Sequence, residues 1–492
     1  MMSHSASAAS AHSPIRSAAT TRMLAPDLAR GFTLLGIAIA NLTTTWLAGP
    51  EDATAPMLGG VVNDSTADKV AVVLGTMFAH VRGLPMFSTM LGFGVGLIAL
   101  SLASRGYPLS AARKTIALRY MWLTIFGAVH MVFLFFGDIM TFYGLAGMLL
   151  ALLINFRDKP LLIMAGVLSG LWIVGSIVIG IVMMVADTSM DVFDSTQAST
   201  DTLQLGTGVA DSYLSQLGVG AFGLVLQPFT LGMELPMLFP LMLVGFVWAR
   251  RGVLTHPEQH RRTLITAATA AVVVMFGVGL PAGLNAIGVL GDESNAVVWM
   301  TINNGLGVIT GPGIVAIIAL ACAPLQRRIS EKTARGLSYS EAVPVWIAPI
   351  AALGQRSMSG YVAQSVLASV CVATYGLGWG QESGAAVATG LAAAIWAVTV
   401  VAAYILQLLG RRGPLETLHR RMAYGKQGLA ANYWAEHPQQ HPSQQIGAAA
   451  APQPTALHPA AGPVSPLPAP PVLPPRYTQH DTPQESVGPQ HP

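Results

Sequence analysis

Charged residues are what this chain has least of. Of its 492 residues, 26 are Lys or Arg and 23 are Asp or Glu, 10% in all, where soluble domains carry roughly 25%. The deficit runs along the whole length while 52% of residues are hydrophobic, so lipid rather than water must solvate most of the chain. A net charge of +3 is too small for the electrostatic footprint that nucleic acid demands, and no nucleic-acid partner is expected. Cysteine is nearly missing as well. Cys322 and Cys371 both sit in apolar runs, which excludes a disulfide framework and a cysteine-built zinc site; no metal centre is expected. Lysine is scarce beside arginine, and Ala, Gly and Pro abound, a composition typical of GC-rich coding and a bacterial source.

Large apolar residues are almost absent from 437–492, which is rich in Pro, Ala, Gln and His. Such a segment cannot bury enough surface to offset its ordering entropy and reads as a disordered cytoplasmic tail. Its stretch Pro466–Pro475 is either an extended spacer, the plainer reading, or a ligand for a cytoplasmic partner module. Residues 1–26 are small and polar and read as a disordered cytoplasmic lead-in to a transmembrane domain over 27–426.

That domain is built of apolar runs. Spanning the hydrocarbon takes about 20 apolar residues. Runs of this kind lie near 31–48, 83–104, 115–136, 139–156, 160–186, 220–249, 263–284, 297–323, 357–378 and 383–409. The first has a cleavage-like Ala53-Thr54-Ala55 after it but is long and followed by more spans, so it reads as uncleaved. The run 220–249 holds Pro228, Pro236 and Pro240, which leaves open a kinked helix or a re-entrant piece. The segment 342–355 is apolar but short and is placed at the interface. Lys and Arg test the count. They cluster near 105–119, 157–159, 250–262, 327–335 and 411–426. The alternate loops are nearly free of them, with Lys69 and Arg82 the exceptions, and 187–218 has five aspartates and no Lys or Arg. This is the positive-inside pattern. It predicts an all-α bundle of about ten spanning helices in a bacterial inner membrane, with both termini cytoplasmic and the loop at Ser199 outside.

Ionisable groups inside a membrane are costly and are functional candidates by default. His130 lies about two turns inside the outer end of the third run, and Asp138 just past that end, roughly 12 Å apart along one helix axis. Contact requires Asp138 to fold back at Gly137. The pair reads either as a general base with its orienting carboxylate, or as a helix-bridging histidine beside an aspartate that caps the next helix. Arg22, Asp27 and Arg30 stand at the mouth of the first helix. Asp27 is placed to cap it, and the arginines face lipid phosphates or the phosphates of a cytosolic cofactor. Glu234 is the one carboxylate deep in a run, either a midplane proton or cation site or a neutral structural glutamate. The glycines of F-S-T-M-L-G-F-G-V-G (87–96) follow no strand, so they read as helix-packing residues rather than a nucleotide loop.

Six segments together resemble the YeiB-like family, the bacterial membrane proteins grouped as DUF418: D-L-A-R-G-F-T-L-L-G-I (27–37), F-S-T-M-L-G-F-G (87–94), G-A-V-H (127–130), G-D-I-M-T-F-Y (137–143), G-Q-R-S-M-S-G-Y-V-A-Q-S (354–365) and R-G-P-L-E-T-L-H-R-R-M-A-Y-G (412–425). They occur in the family's order. Pro26, Gln355 with Arg356, and Gly360 depart from its usual residues. The family has no settled activity, and its opening motif is similar to that of membrane acyltransferases. That resemblance implies acyl transfer from cytosolic acyl-CoA to a lipid or envelope glycan. His130 is then the base, Asp138 its partner, Arg22 and Arg30 the cofactor-phosphate contacts, and Arg356, Tyr361 and Gln364 a further motif in the ninth run. The rival readings are a small-molecule transporter built on Glu234 and a non-catalytic scaffold.

Overall fold

The computed structural model describes residues 22–50, 53–186, 212–291 and 295–436. The tail, most of the polar lead-in and most of the acidic segment around Ser199 lie outside these.

Every apolar run becomes helix. In chain order the helices are α1 (Leu24–Asn41, prolonged by a π-turn Leu42–Trp46), α2 (Thr66–Phe78), α3 (Gly83–Ser104), α4 (Leu109–Phe133), α5 (Met140–Leu153), α6 (Asp158–Ala186), α7 (Tyr213–Arg251), α8 (Arg261–Val274), α9 (Leu280–Ala286), α10 (Ala296–Gly307), α11 (Thr310–Ala334), α12 (Ala348–Gln355), α13 (Ser357–Cys371), α14 (Ala385–Leu408) and α15 (Pro414–Tyr424). A π-turn Met275–Gly279 joins α8 to α9. Among the described residues, seven segments are long and apolar enough to cross a membrane, and α5 is a shorter apolar helix. On α6 the side chains of Ile163, Val167, Leu171, Val174 and Val182 are more than half exposed. An apolar helix that leaves such a face uncovered needs lipid around it, and the chain is a membrane protein.

The proline-rich run does not break. α7 is one helix of 39 residues with Pro228, Pro236 and Pro240 inside it. At 1.5 Å per residue it is about 58 Å long, well beyond the ~30 Å hydrocarbon. It packs along α3, where Gly92 and Gly96 of α3 and Gly245 of α7 let the two backbones meet. The core sits here and between α4 and α5, around Phe93, Phe142, Tyr143, Phe239, Met242 and Phe246, all essentially buried. The segment expected at the interface is divided: Val345 and Trp346 are 74% exposed, while α12 buries Ala351, Ala352 and Leu353 against α1. Its small residues allow that approach, which apolarity and length alone do not reveal.

Candidate functional site

The last turn of α4 carries His130. The helix ends there because the amides of Leu134 and Phe135 both donate back to the His130 carbonyl, at 2.8 and 3.0 Å. The chain then reverses and returns Asp138 to the imidazole. Asp138 Oδ2 accepts from the Thr141 amide at 2.7 Å and from the Thr141 hydroxyl at 2.9 Å, as an N-cap does for the first turn of a helix. Asp138 Oδ1 lies 2.8 Å from His130 Nδ1, meeting it obliquely rather than along the ring N–H. The two sequence readings of Asp138 are therefore compatible, one oxygen for each. The 12 Å separation does not apply, because it assumed that α4 runs straight on past Phe133. Gly127, one turn before His130, is the residue that admits the reversal. A Cβ there would stand 2.6 Å from Asp138 Oδ2.

On the far side of the ring, His130 Nε2 and Ser365 Oγ are 2.9 Å apart. The Tyr361 ring packs on the imidazole, with centroids 5.0 Å apart. Tyr361 and Ser365 are both buried on α13. Sequence reading singled out Tyr361 and missed Ser365, which stands one helical turn from it. The result is an imidazole from α4 with a carboxylate from the α4–α5 turn on one side and a hydroxyl from α13 on the other.

Tyr361 also lines a cavity of about 380 Å³. Its walls are apolar, with Leu34, Ile37, Phe87 and Leu123, but Arg22, Arg30, Arg119 and His419 line it too. Arg22 is held by Asp27 at 2.8 Å, and Asp27 also accepts from the Tyr339 hydroxyl at 3.2 Å. Asp27 thus pairs rather than caps. α1 starts earlier, at Leu24, whose amide donates to Gln326 at 2.7 Å. Arg30 and Arg119 have no ion pair among the described residues. Arg30 donates to the Met90 carbonyl at 3.4 Å, and Arg119 to the Tyr424 hydroxyl at 3.1 Å. The cavity's carboxylate, Glu416, is already engaged. It accepts from the amides of Met358 and Ser359 at 2.9 and 3.0 Å and from the Ser359 hydroxyl at 2.5 Å, so it anchors the N-terminus of α13. Arg30 and Arg119 against the single carboxylate of Glu416 leave the cavity net positive in apolar walls.

The other candidates lie apart from it. Arg356 donates to the carbonyls of Ala352 at 3.1 Å and Arg411 at 2.6 Å, which ties α12 to the chain after α14. Gln364 faces Thr399 of α14 at 3.5 Å. Glu234 accepts from Gln227 of its own helix at 3.0 Å.

α15 closes the arginine-rich end of the cavity. His419 donates from Nε2 to the Arg119 carbonyl at 2.7 Å. Burial, with the Arg119 charge beside it, pushes its pKa down to about 4. A released His419 takes up a proton near pH 6.5, while the docked one does so only near 4. Between these values the released form binds more protons, so docking weakens as pH falls from about 6.5 towards 4. Limited proteolysis at the 411–426 segment is expected to accelerate over that window in the wild-type chain and to lose its pH dependence in His419→Gln.

The DUF418 family model, described as protein of unknown function, matches residues 248–426. That segment contains α13 and α15, hence Tyr361, Ser365, Glu416 and His419, and both C-terminal motif segments through which the sequence resembles the family. The chain is also similar to the uncharacterized protein YxaH of Bacillus subtilis (strain 168), 24% identical over 418 residues, 81% of this chain and 93% of the relative. Neither the DUF418 description nor that of YxaH names an activity.

Proposed function

We propose that this protein transfers acyl groups from an anionic, activated donor to a lipid or an envelope glycan. The observation that carries the reading is a buried imidazole held between Asp138 and Ser365, against the tyrosine that lines an arginine-rich cavity. Acyl-CoA fits that cavity by chemistry. Arg30 and Arg119 would take its phosphates as charge-assisted contacts, with Arg22 beside them, and Leu34, Ile37 and Phe87 would line its alkyl part. When bound, it supplies the activated acyl group. The chain's own part is acid–base chemistry: Asp138 favours the tautomer with hydrogen on Nδ1, which leaves Nε2 free to accept a proton from a hydroxyl. The Ser365 hydroxyl stands where such a group would be. On the positive-inside pattern of the sequence, the arginine-rich end of the cavity and both termini would face the cytoplasm. The transporter reading gains nothing from Glu234, which bonds within an unbroken helix.

The test compares lipid and glycan extracts by mass spectrometry from a deletion strain carrying the wild-type chain, Arg30→Gln or nothing. Acylated species should disappear in the deletion, return with the wild-type chain and return at one tenth or less with Arg30→Gln expressed to the same level. Identical extracts from the deletion and wild-type strains would remove acyl transfer from consideration.

A further inference from the structure

The chain after α14 crosses the arginine-rich end of the cavity as a strap that is anchored at both ends. At the first end Glu416 accepts from the N-terminus of α13. At the far end the Tyr433 amide donates to the Arg105 carbonyl at 2.9 Å, and Arg105 Nη1 donates to the Ala430 carbonyl at 3.4 Å. The Tyr433 and Tyr107 rings lie 4.8 Å apart. Trp434 covers Gly106, where a Cβ would stand 3.1 Å from the indole Cδ1. Between these anchors the strap is lightly held. α15 buries only His419 and Ala423, while Thr417, Leu418, Arg420 and Arg421 are exposed. Gly425 and Gly428 follow at φ 73° and 81°, left-handed backbone that glycine adopts and leaves without steric cost. A segment with so little apolar burial opens at a lower free energy than the bundle beneath it.

What grips the middle of the strap is Arg119. Its carbonyl accepts from His419 at 2.7 Å, its Nη1 donates to the Tyr424 hydroxyl at 3.1 Å, and its guanidinium lies 5.6 Å from the centre of the Tyr424 ring. The same guanidinium faces the cavity: Arg119 lines it, and Tyr120, another wall residue, stands against that side chain. The group that closes the strap is thus one that an anion in the cavity would seek. We propose that a phosphate-bearing ligand releases the strap by taking Arg119 from Tyr424, which makes α15 a ligand-operated lid and Tyr424 its latch. A phosphate receives paired N–H donors from one guanidinium, and a contact charged on both sides is stronger than one to a neutral phenol. Paired binding through Nη1 and the Tyr424 contact exclude each other. Linkage then makes the effect reciprocal: whatever loosens the strap tightens the anion by the factor with which the anion loosens the strap. The inference rests on the cavity as the site of the anionic donor, and on neither His130 nor the transfer step.

Hydrogen–deuterium exchange of the purified full chain in detergent reads the strap directly, and calorimetric titration reads the ligand. The probes are coenzyme A and inorganic pyrophosphate, at constant ionic strength. Binding should speed exchange of the 417–426 amides at least fivefold and leave α3 and α7 unchanged. Tyr424→Phe keeps the ring and loses the hydroxyl; it should speed the same exchange without ligand and bind coenzyme A three- to tenfold more tightly. Trp434→Ala loosens the far anchor instead, and serves with the same expected direction should Tyr424→Phe fail to accumulate. Release by pyrophosphate assigns the effect to phosphate alone, and release by coenzyme A only assigns it to the larger ligand; either supports the latch. Binding of neither probe, strap exchange that is unchanged or slower on binding, or variants that bind no more tightly than the wild-type chain overturns it. Release by coenzyme A together with extracts that do not change on deletion would keep the lid and remove acyl transfer.

Discussion

His130→Gln is expected to insert and fold like the wild-type chain and to lose acyl transfer by 10²–10⁴-fold, the usual contribution of a positioned acid–base group. The geometry separates the two effects. Asp138 keeps both donors of Thr141 whether or not the imidazole is present, so the reversal after α4 survives. Glutamine still offers an amide donor and acceptor in the space between Asp138 and Ser365. What it cannot do is titrate near neutral pH. A histidine that only bridged helices would be replaced at modest cost. Asp138→Asn should also lose activity heavily, because an amide N–H facing Nδ1 draws the ring hydrogen to Nε2 and abolishes the base. Ser365→Ala removes one hydrogen bond from Nε2, worth about 0.5–1.5 kcal/mol, and should cost roughly tenfold or less. The readout is the acylated species in extracts, with expression and detergent-soluble monodispersity as the folding control. Wild-type turnover in His130→Gln would leave the imidazole a structural bridge.

Much of this arrangement was legible in the sequence, for one reason: in a membrane, period and length say where helices lie, and scarcity says which polar groups matter. The apolar runs all became helices, and His130 and Asp138 were singled out because ionisable groups are rare within such runs. Their contact was not legible. Sequence spacing fixes a distance only along an unbroken helix, and α4 stops at Phe133. Gly127 held the clue, since a missing side chain marks a place where another backbone returns. Ser365 was invisible as a partner because a serine in an apolar helix is ordinary, and only the packing of α13 on α4 gives it an imidazole. The three arginines of the cavity are spread over 22–119, while the helix that closes it begins at Pro414. Nothing local joins them. Glu416 shows the reverse case, a carboxylate beside arginines whose hydrogen bonds go to a helix terminus and not to a guanidinium.

Gly92→Leu is expected to prevent accumulation of folded protein altogether. On α3, a Cβ at Gly92 would lie 2.6 Å from the backbone Cα and carbonyl carbon of Met242, and closer still to its carbonyl oxygen. These are backbone atoms of α7 and cannot swing aside as the end of a side chain does. Facing them, a Cβ at Gly245 would lie 2.9 Å from the Phe93 amide nitrogen and overlap the Thr89 carbonyl. Each helix thus presents a glycine to the other's backbone, the small-residue contact on which helix association in lipid depends. The hydrophobic effect cannot compensate for separation there, because lipid tails are as apolar as the leucines they would replace. Pushing α3 from α7 opens the contact that buries Phe93, Met242 and Phe246. Overpacking a well-filled core costs about 1–3 kcal/mol even where side chains can yield, and here they cannot. Gly232→Ala is the internal control: it lies on the same α7, with nothing within 4 Å of its Cβ. Replacing a helical glycine by alanine there should stabilise by up to about 1 kcal/mol. Fluorescence-detected size exclusion in detergent, read as the temperature at which the monodisperse peak is lost, ranks the variants. Gly232→Ala should match or exceed the wild-type chain, Gly245→Ala should fall well below it, and Gly92→Leu should give no peak. A Gly92→Leu peak at the wild-type position with wild-type stability would mean that α3 and α7 do not meet at these glycines.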